Sequence, residues 1–341
     1  MCQRYRPNRY RRPNGLPALK ADVLQKTQPG SSARIKGLGV VVSLAIAGVA
    51  IYALTHALRN VNYDEVFAVI GRTNGSLIAL ALLLVTVSYG SLTIYDVLAL
   101  RTIGRTDVPY RIAALASFTS YPIAHGIGLV ALISPVIRYR VYSWNGLGAG
   151  DVANICFLTG LTFWLGNLTS LGLSVFYEPA AISLIDYLPT AANRMLALAL
   201  LLGVAGFLAW SWLAPESAPT RRWRVKFPSG PMVLLQIGIG IVDLGAAALA
   251  MYMLIPAGLN IDVSRVVAVF IAAILLGFAS HAPAGLGAFD ATILIGLGSE
   301  NKEQLLAALL MFRLLYHLVP FVLALILFGA VEGWRNWRSQ H

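Results

Sequence analysis

Apolar residues along the chain gather into runs of about 17–26, long enough to cross a hydrocarbon core of about 30 Å. Gly37–Leu58 contains no Lys, Arg, Asp or Glu and reads as a first span. Ser76–Leu100, Asp151–Phe176, Met195–Leu213 and Pro231–Leu254 read as further spans. Between the first two, Arg59–Arg72 is polar and charge-balanced, and Val61, Val66, Phe67 and Ile70 predict a short interfacial helix. Two other apolar segments are irregular. Ile112–Ile137 is punctuated by Pro122, His125, Gly126, Gly128 and Pro135. Val266–Ser280 leads into Phe278–Pro320, whose middle carries His281, Pro283, Gly285, Gly287 and Asp290, followed by Arg313, Tyr316 and His317. Proline and glycine in such numbers leave backbone groups unpaired, which hydrocarbon tolerates only where protein or a water-filled cavity surrounds them. The pattern predicts an all-α, polytopic membrane protein of about eight segments, two of them interrupted hairpins.

The basic residues add a topology. The 101–111 loop, the Arg138–Tyr139–Arg140 triplet, the RRWRVK cluster at Arg221–Lys226 and the tail with Arg335 and Arg338 fall on one side. The positive-inside rule places that side, with both termini, in the cytoplasm. The loops at 59–72, 178–194, 255–265 and 299–304 then lie outside. This works only if 112–137 enters and leaves from the cytoplasmic face, and 266–298 from the outer face. Two such hairpins suggest the inverted repeats of transporters, although no internal sequence repeat is visible.

Composition agrees: of 341 residues, 57% are hydrophobic and 12% charged, which excludes an ordinary soluble enzyme. The net charge of +11 does not argue for nucleic acid, because much of it lies in the first 36 residues, where nine Lys/Arg face one acid, Asp22. Domain organisation is therefore read as a basic, disordered tail at 1–36, a transmembrane domain at 37–330 and a short cytoplasmic tail at 331–341. The first tail suits an anionic leaflet. Cys2 and Cys156 have no plausible partners, so neither a disulfide framework nor a thiolate metal site is expected. No phosphate-binding loop, zinc-protease or serine-hydrolase motif occurs, and no cofactor, metal or catalytic residue is expected.

Charged groups inside spans carry the candidate chemistry. Each of Asp290 and Arg313 alone costs about 2.5–3.5 kcal/mol at a helix centre. They are read as facing each other, as a packing salt bridge, or a headgroup, with Arg313 on phosphate and Asp290 on a positive group. His281 suits proton coupling or an ordinary hydrogen bond. Tyr316 and His317 follow Arg313 at helical spacing and shape the same cavity or simply pack. Asp96 lies close to Arg101 and is expected near the interface. Asp243 is deeper and lacks an obvious partner. Arg138 and Arg140 are placed at the cytoplasmic mouth, as a lipid entrance or as anchors.

Several motifs are familiar together. YDVLALRTIG (95–104), ALISPVIRYRVYSWNGLGAGDVANI (131–155), LTFWLGN (161–167), SHAPAGLGAFDATIL (280–294) and LLAALLMFRLLYHLVP (305–320) resemble the lysylphosphatidylglycerol synthase/flippase family. More narrowly they resemble its transmembrane flippase domain, also found alone in inner-membrane proteins, over about residues 37–330. The resemblance implies translocation of aminoacylated or other phospholipids, and with it resistance to cationic antimicrobial peptides. It carries over Asp96, Arg138, Arg140, Asp151, Asp290 and Arg313 as substrate-binding positions. Ala284 and Asp290 depart from the family's usual Gly and Glu. Chain length leads to the expectation of a translocase without the aminoacyl-transferring domain, acting alone, or as a non-transport partner that scaffolds a separate lipid-modifying enzyme. A third expectation, a membrane-embedded transferase, would use Asp290 or His281 as base. Nothing in the sequence sets the oligomeric state, the lipid or the direction of movement.

Overall fold

A computed structural model describes residues 62–128, 130–213, 226–298 and 301–340. The basic tail at 1–36, the expected span at 37–58 and most of the RRWRVK cluster lie outside the described residues. Those described form helices and turns, with no strand among them. We label the helices α1 (Tyr63–Arg72), α2 (Gly75–Thr102), α3 (Tyr110–Ile127), α4 (Val130–Tyr142), α5 (Ala149–Tyr177), α6 (Thr190–Leu213), α7 (Gly230–Leu254), α8 (Val263–Ala279), α9 (Ala288–Leu297), α10 (Lys302–Phe312) and α11 (Val319–Gln340). A π-helical turn, Arg313–Leu318, joins α10 to α11. Helices α2, α5, α6 and α7, and the continuous rod Lys302–Arg335, are long and apolar enough to cross a membrane. The chain is an all-α, polytopic membrane protein.

Both irregular segments are helix–break–helix hairpins. In the first, α3 runs through Pro122 without ending, so the break is not there. It falls at Gly128, whose φ of 87° only glycine adopts readily. Gly126 remains helical and admits the Phe321 ring, 2.5 Å from where a Cβ would stand. In the second, α8 ends at Ala279. The chain then turns through Pro283, Gly285 and Gly287, the last two at φ 65° and 85°, before α9 begins. His281 and Ala284 also take positive φ, 54° and 50°.

The order long helix, hairpin, long helix occurs twice: α2, α3–α4, α5, then α7, α8–α9, α10–α11. The open ends of the two hairpins lie at opposite ends of the bundle. Beside the first, Arg105 donates to the Asn145 carbonyl, and Lys226 to the Ile103 carbonyl at 3.0 Å. Arg140 pairs with Glu332, and Arg335 lies over Trp144 at 4.0 Å. At the other end, Arg265 donates to the Gly296 carbonyl, and the Asn62 N–H to Glu303. Among the described residues, Ile103–Arg105, Arg140–Asn145, Lys226 and Glu332–Arg335 thus share one end of the bundle, and Asn62, Arg265, Gly296 and Glu303 share the other.

Helices α2 and α7 pack along each other, with α5 crossing α7 where Gly166 meets Gly240. A Cβ on either would fall 2.7 Å from the other's Cα, the close approach that small residues permit in hydrocarbon. The first apolar core gathers around α7, α8, α9 and α10; the second gathers around α2, α3, α4 and α5.

Candidate functional site

The tips of the two hairpins touch. A Cβ at Gly128 would stand 2.8 Å from the Pro283 nitrogen, so the tips meet backbone to backbone. Beside this contact is a cavity of ≈ 330 Å³, walled by the tips, by α2, α5 and α7, and by the π turn. Its wall is largely aromatic, with Tyr89, Tyr121, Phe163, Phe289, Phe312 and Tyr316. Phe312 and Tyr316 stack at 5.0 Å, and Tyr89 meets Tyr316 at 5.4 Å. The polar contribution comes from His125, His281, His317 and Asp243.

Of the residues singled out in the sequence, His125, Gly128, Asp243, His281, Ala284, Gly285, Tyr316 and His317 reach this wall. His281 is exposed, and its Nδ1 lies 3.0 Å from the Ala279 carbonyl. Asp290 and Arg313 lie just behind the wall and face each other. Arg313 Nε donates to Asp290 Oδ1 at 2.5 Å, and its Nη1 to the Ala284 carbonyl at 3.3 Å. Asp290 also accepts from the Gly287 N–H at 2.9 Å and so caps α9, where a carboxylate suits the helix dipole. The guanidinium stands 5.6 Å over the Phe289 ring. Arg313 Nη2 and His317 Nδ1 are buried without a hydrogen-bond partner.

Asp96 is not at the interface beside Arg101. It is fully buried, and Arg138, 2% exposed, binds it through two parallel bonds of 2.8 and 3.0 Å. Tyr142 donates to the same carboxylate at 2.7 Å, Ser134 accepts from Arg138 Nη1, and Tyr121 offers its ring at 4.8 Å. Arg138 is therefore inside the bundle, not at its mouth. Two residues on, Arg140 projects from the opposite side of α4 and is more than half exposed. Asp151 is far from the cavity. It caps α5 through the Gly148 N–H and stands 3.7 Å from Arg105. Outside the spans, Arg105 also bonds Asp107 and holds that carboxyl below its ordinary range.

Sequence reasoning missed one constellation. Asp243 accepts from Ser88 Oγ at 2.5 Å and from the Tyr95 hydroxyl at 2.9 Å, both on α2. Ser88 also shares a bond of 3.0 Å with the Tyr316 hydroxyl, and Tyr89 donates to the Tyr316 carbonyl at 2.9 Å. Ser88 and Tyr95 are seven residues apart, two helical turns along one face. That spacing opposite an intramembrane acid was the available signal.

Comparison with known proteins follows the same lines. No family model matches the chain. It is 29% identical to the inner membrane protein YbhN of Escherichia coli (strain K12), over 81% of this chain and 86% of that one. It is 27% identical to the uncharacterized protein slr0712 of Synechocystis, over 84% of this chain and 89% of that protein. A phosphatidylglycerol lysyltransferase of Bacillus subtilis is 23% identical over 84% of this chain, which covers 33% of that longer enzyme. Over most of its length the chain is thus similar to stand-alone membrane proteins and to about a third of a phosphatidylglycerol lysyltransferase, in agreement with the resemblance read from its motifs.

Proposed function

We propose that this chain is an inner-membrane phospholipid translocase that passes a headgroup between leaflets beside the two hairpin tips. The observation that carries the reading is the ≈ 330 Å³ cavity where hairpins from opposite ends of the bundle meet. The likeness to YbhN supports the membrane, and the likeness to a phosphatidylglycerol lysyltransferase supports a lipid as the thing handled. Separating the tips would join the cavity to one end of the bundle or the other. Arg313 has a guanidinium nitrogen without a partner, which suits a phosphate oxygen once the second hairpin shifts. Asp290 would then meet a positive group, while the acyl chains stay in lipid. Basic loops support a cytoplasmic Arg105–Arg140 end, and the charge of residues 1–36 suits its anionic leaflet.

The test is leaflet exchange of fluorescent phospholipids in liposomes holding the full chain. Arg313→Ala should slow transfer at least tenfold, and Arg335→Ala, at the bundle's end, should leave it unchanged. Equal loss in both variants overturns the assignment of a specific site. Absence of transfer by the unaltered chain supports a non-transport partner of a lipid-modifying enzyme instead.

A further inference from the structure

Three carboxylates are buried within the described bundle: Asp96, Asp243 and Asp290. Asp96 holds Arg138 and Asp290 holds Arg313, so each of those pairs is neutral. Asp243 has no basic partner among the described residues. Its contacts are the neutral hydroxyls of Ser88 and Tyr95, and it stands near the middle of a 25-residue apolar helix, 4% exposed. A bare carboxylate there would leave an uncompensated charge in hydrocarbon, which buried acids avoid by binding a cation or keeping their proton. Asp243 also lines the cavity, so whatever it binds can exchange with that space.

We propose that Asp243 is a proton-binding site, loaded and emptied through the central cavity. A protonated Asp243 can donate to Ser88, which shares its bond with the Tyr316 hydroxyl on the cavity wall. That row of hydroxyls links the acid to the π turn, and the turn carries Arg313 one step from Asp290. Titratable groups share the cavity wall with Asp243 or bond to it directly. These are Tyr89 and Tyr95 from α2, Tyr121 and His125 from α3, His281 from the second tip, and Tyr316 and His317 from the π turn. None of them is a fixed cation. The proposal assigns binding to Asp243 on its own; that the proton drives lipid movement rests on the translocase reading.

The experiment treats the full chain in liposomes with dicyclohexylcarbodiimide, which adds to protonated carboxyls in apolar surroundings, and maps the adduct by peptide mass spectrometry. Asp243 should take the adduct and Asp96 and Asp290 should not, with labelling falling as pH rises. Infrared spectra should show a protonated-carboxyl C=O band that Asp243→Asn removes while keeping the fold; this decides the matter if the reagent cannot enter. Absence of that band overturns the proposal, and so does protection from labelling by sodium but not by choline. A pH gradient across the liposomes should accelerate lipid transfer by the unaltered chain and not by Asp243→Asn. If no lipid moves at all, the translocase reading fails while the labelling and infrared results still decide the proton site.

Discussion

The two hairpins are fastened to the bundle by ion pairs of opposite polarity and unequal completeness. In the first, the hairpin brings the arginine, Arg138, and the long helix α2 brings the acid. Every nitrogen of that guanidinium is bound, and the carboxylate takes a third bond from Tyr142. In the second, the hairpin brings the acid, Asp290, and a π turn brings the arginine. Here one nitrogen makes a long bond to a carbonyl and another makes none. A saturated pair can only hold; an unsaturated one retains capacity for a ligand. The difference leaves the Asp96 end able only to hold, and the Asp290 end with the spare donor that the proposed headgroup site needs. A π turn, rare and frequent at functional sites, lies on the side with spare capacity.

Breaking the saturated pair should have the largest effect. Arg138→Ala strands a carboxylate that has no exposure at all, and removing one partner of a buried pair costs about 3–5 kcal/mol. The expected outcome is a protein that fails to remain monodisperse in mild detergent, or melts far below the unaltered chain. Replacing both partners, Asp96→Ala with Arg138→Leu, should recover much of that loss, because no charge is left buried. Failure of the double variant to recover would mean that the pair does more than hold the first hairpin.

The tip contact comes next. Gly128→Ala demands a left-handed backbone from an L residue, at about 1–2 kcal/mol. It also drives a methyl into the Pro283 backbone, and overpacking adds about 1–3 kcal/mol. The tips must part, so the variant should melt below the unaltered chain. An unchanged melting temperature would show that the tip contact contributes nothing to stability.

On the open side, Asp290→Asn and Asp290→Ala separate capping from charge. Asparagine can still accept the Gly287 N–H but leaves Arg313 without its counter-charge, so stability should fall by about 1–3 kcal/mol while lipid transfer drops sharply. Alanine loses the cap as well and should cost about 0.5–2 kcal/mol more, read as a lower melting temperature. If asparagine transfers lipid normally, the charge of Asp290 is not used.

Much of this was legible without coordinates. Apolar run length foretold the described spans, and sorting basic loops to one side required two hairpins. Glycine identified the breaks at Gly128 and at Gly285–Gly287 because a positive φ leaves few alternatives. Pro122 misled, since a helix in hydrocarbon can carry proline when neighbours cover the freed carbonyl. The ion pairs were legible unequally. Asp290 and Arg313 stand in one apolar stretch and invite pairing. Asp96 and Arg138 are 42 residues apart across a hairpin, and Arg101 was the nearer and wrong partner. Asp243's partners are a serine and a tyrosine, types too common in spans to single out, and the π turn has no residue signature.

The smallest effect should come from Arg140, two residues from the most costly position in the chain. It binds Glu332 in a two-bonded pair of 2.7 and 2.9 Å, geometry as good as that of Arg138 with Asp96. Geometry is not what separates them. Arg140 is 57% exposed, so water already solvates it and salt screens the attraction, and exposed pairs contribute about 0–1 kcal/mol. Arg140→Ala should therefore shift the melting temperature little, and raising salt should erase even that. A loss comparable to Arg138→Ala would show that the fastening of the first hairpin extends out to α11, and that the bundle's end, not its interior, holds the hairpin in place.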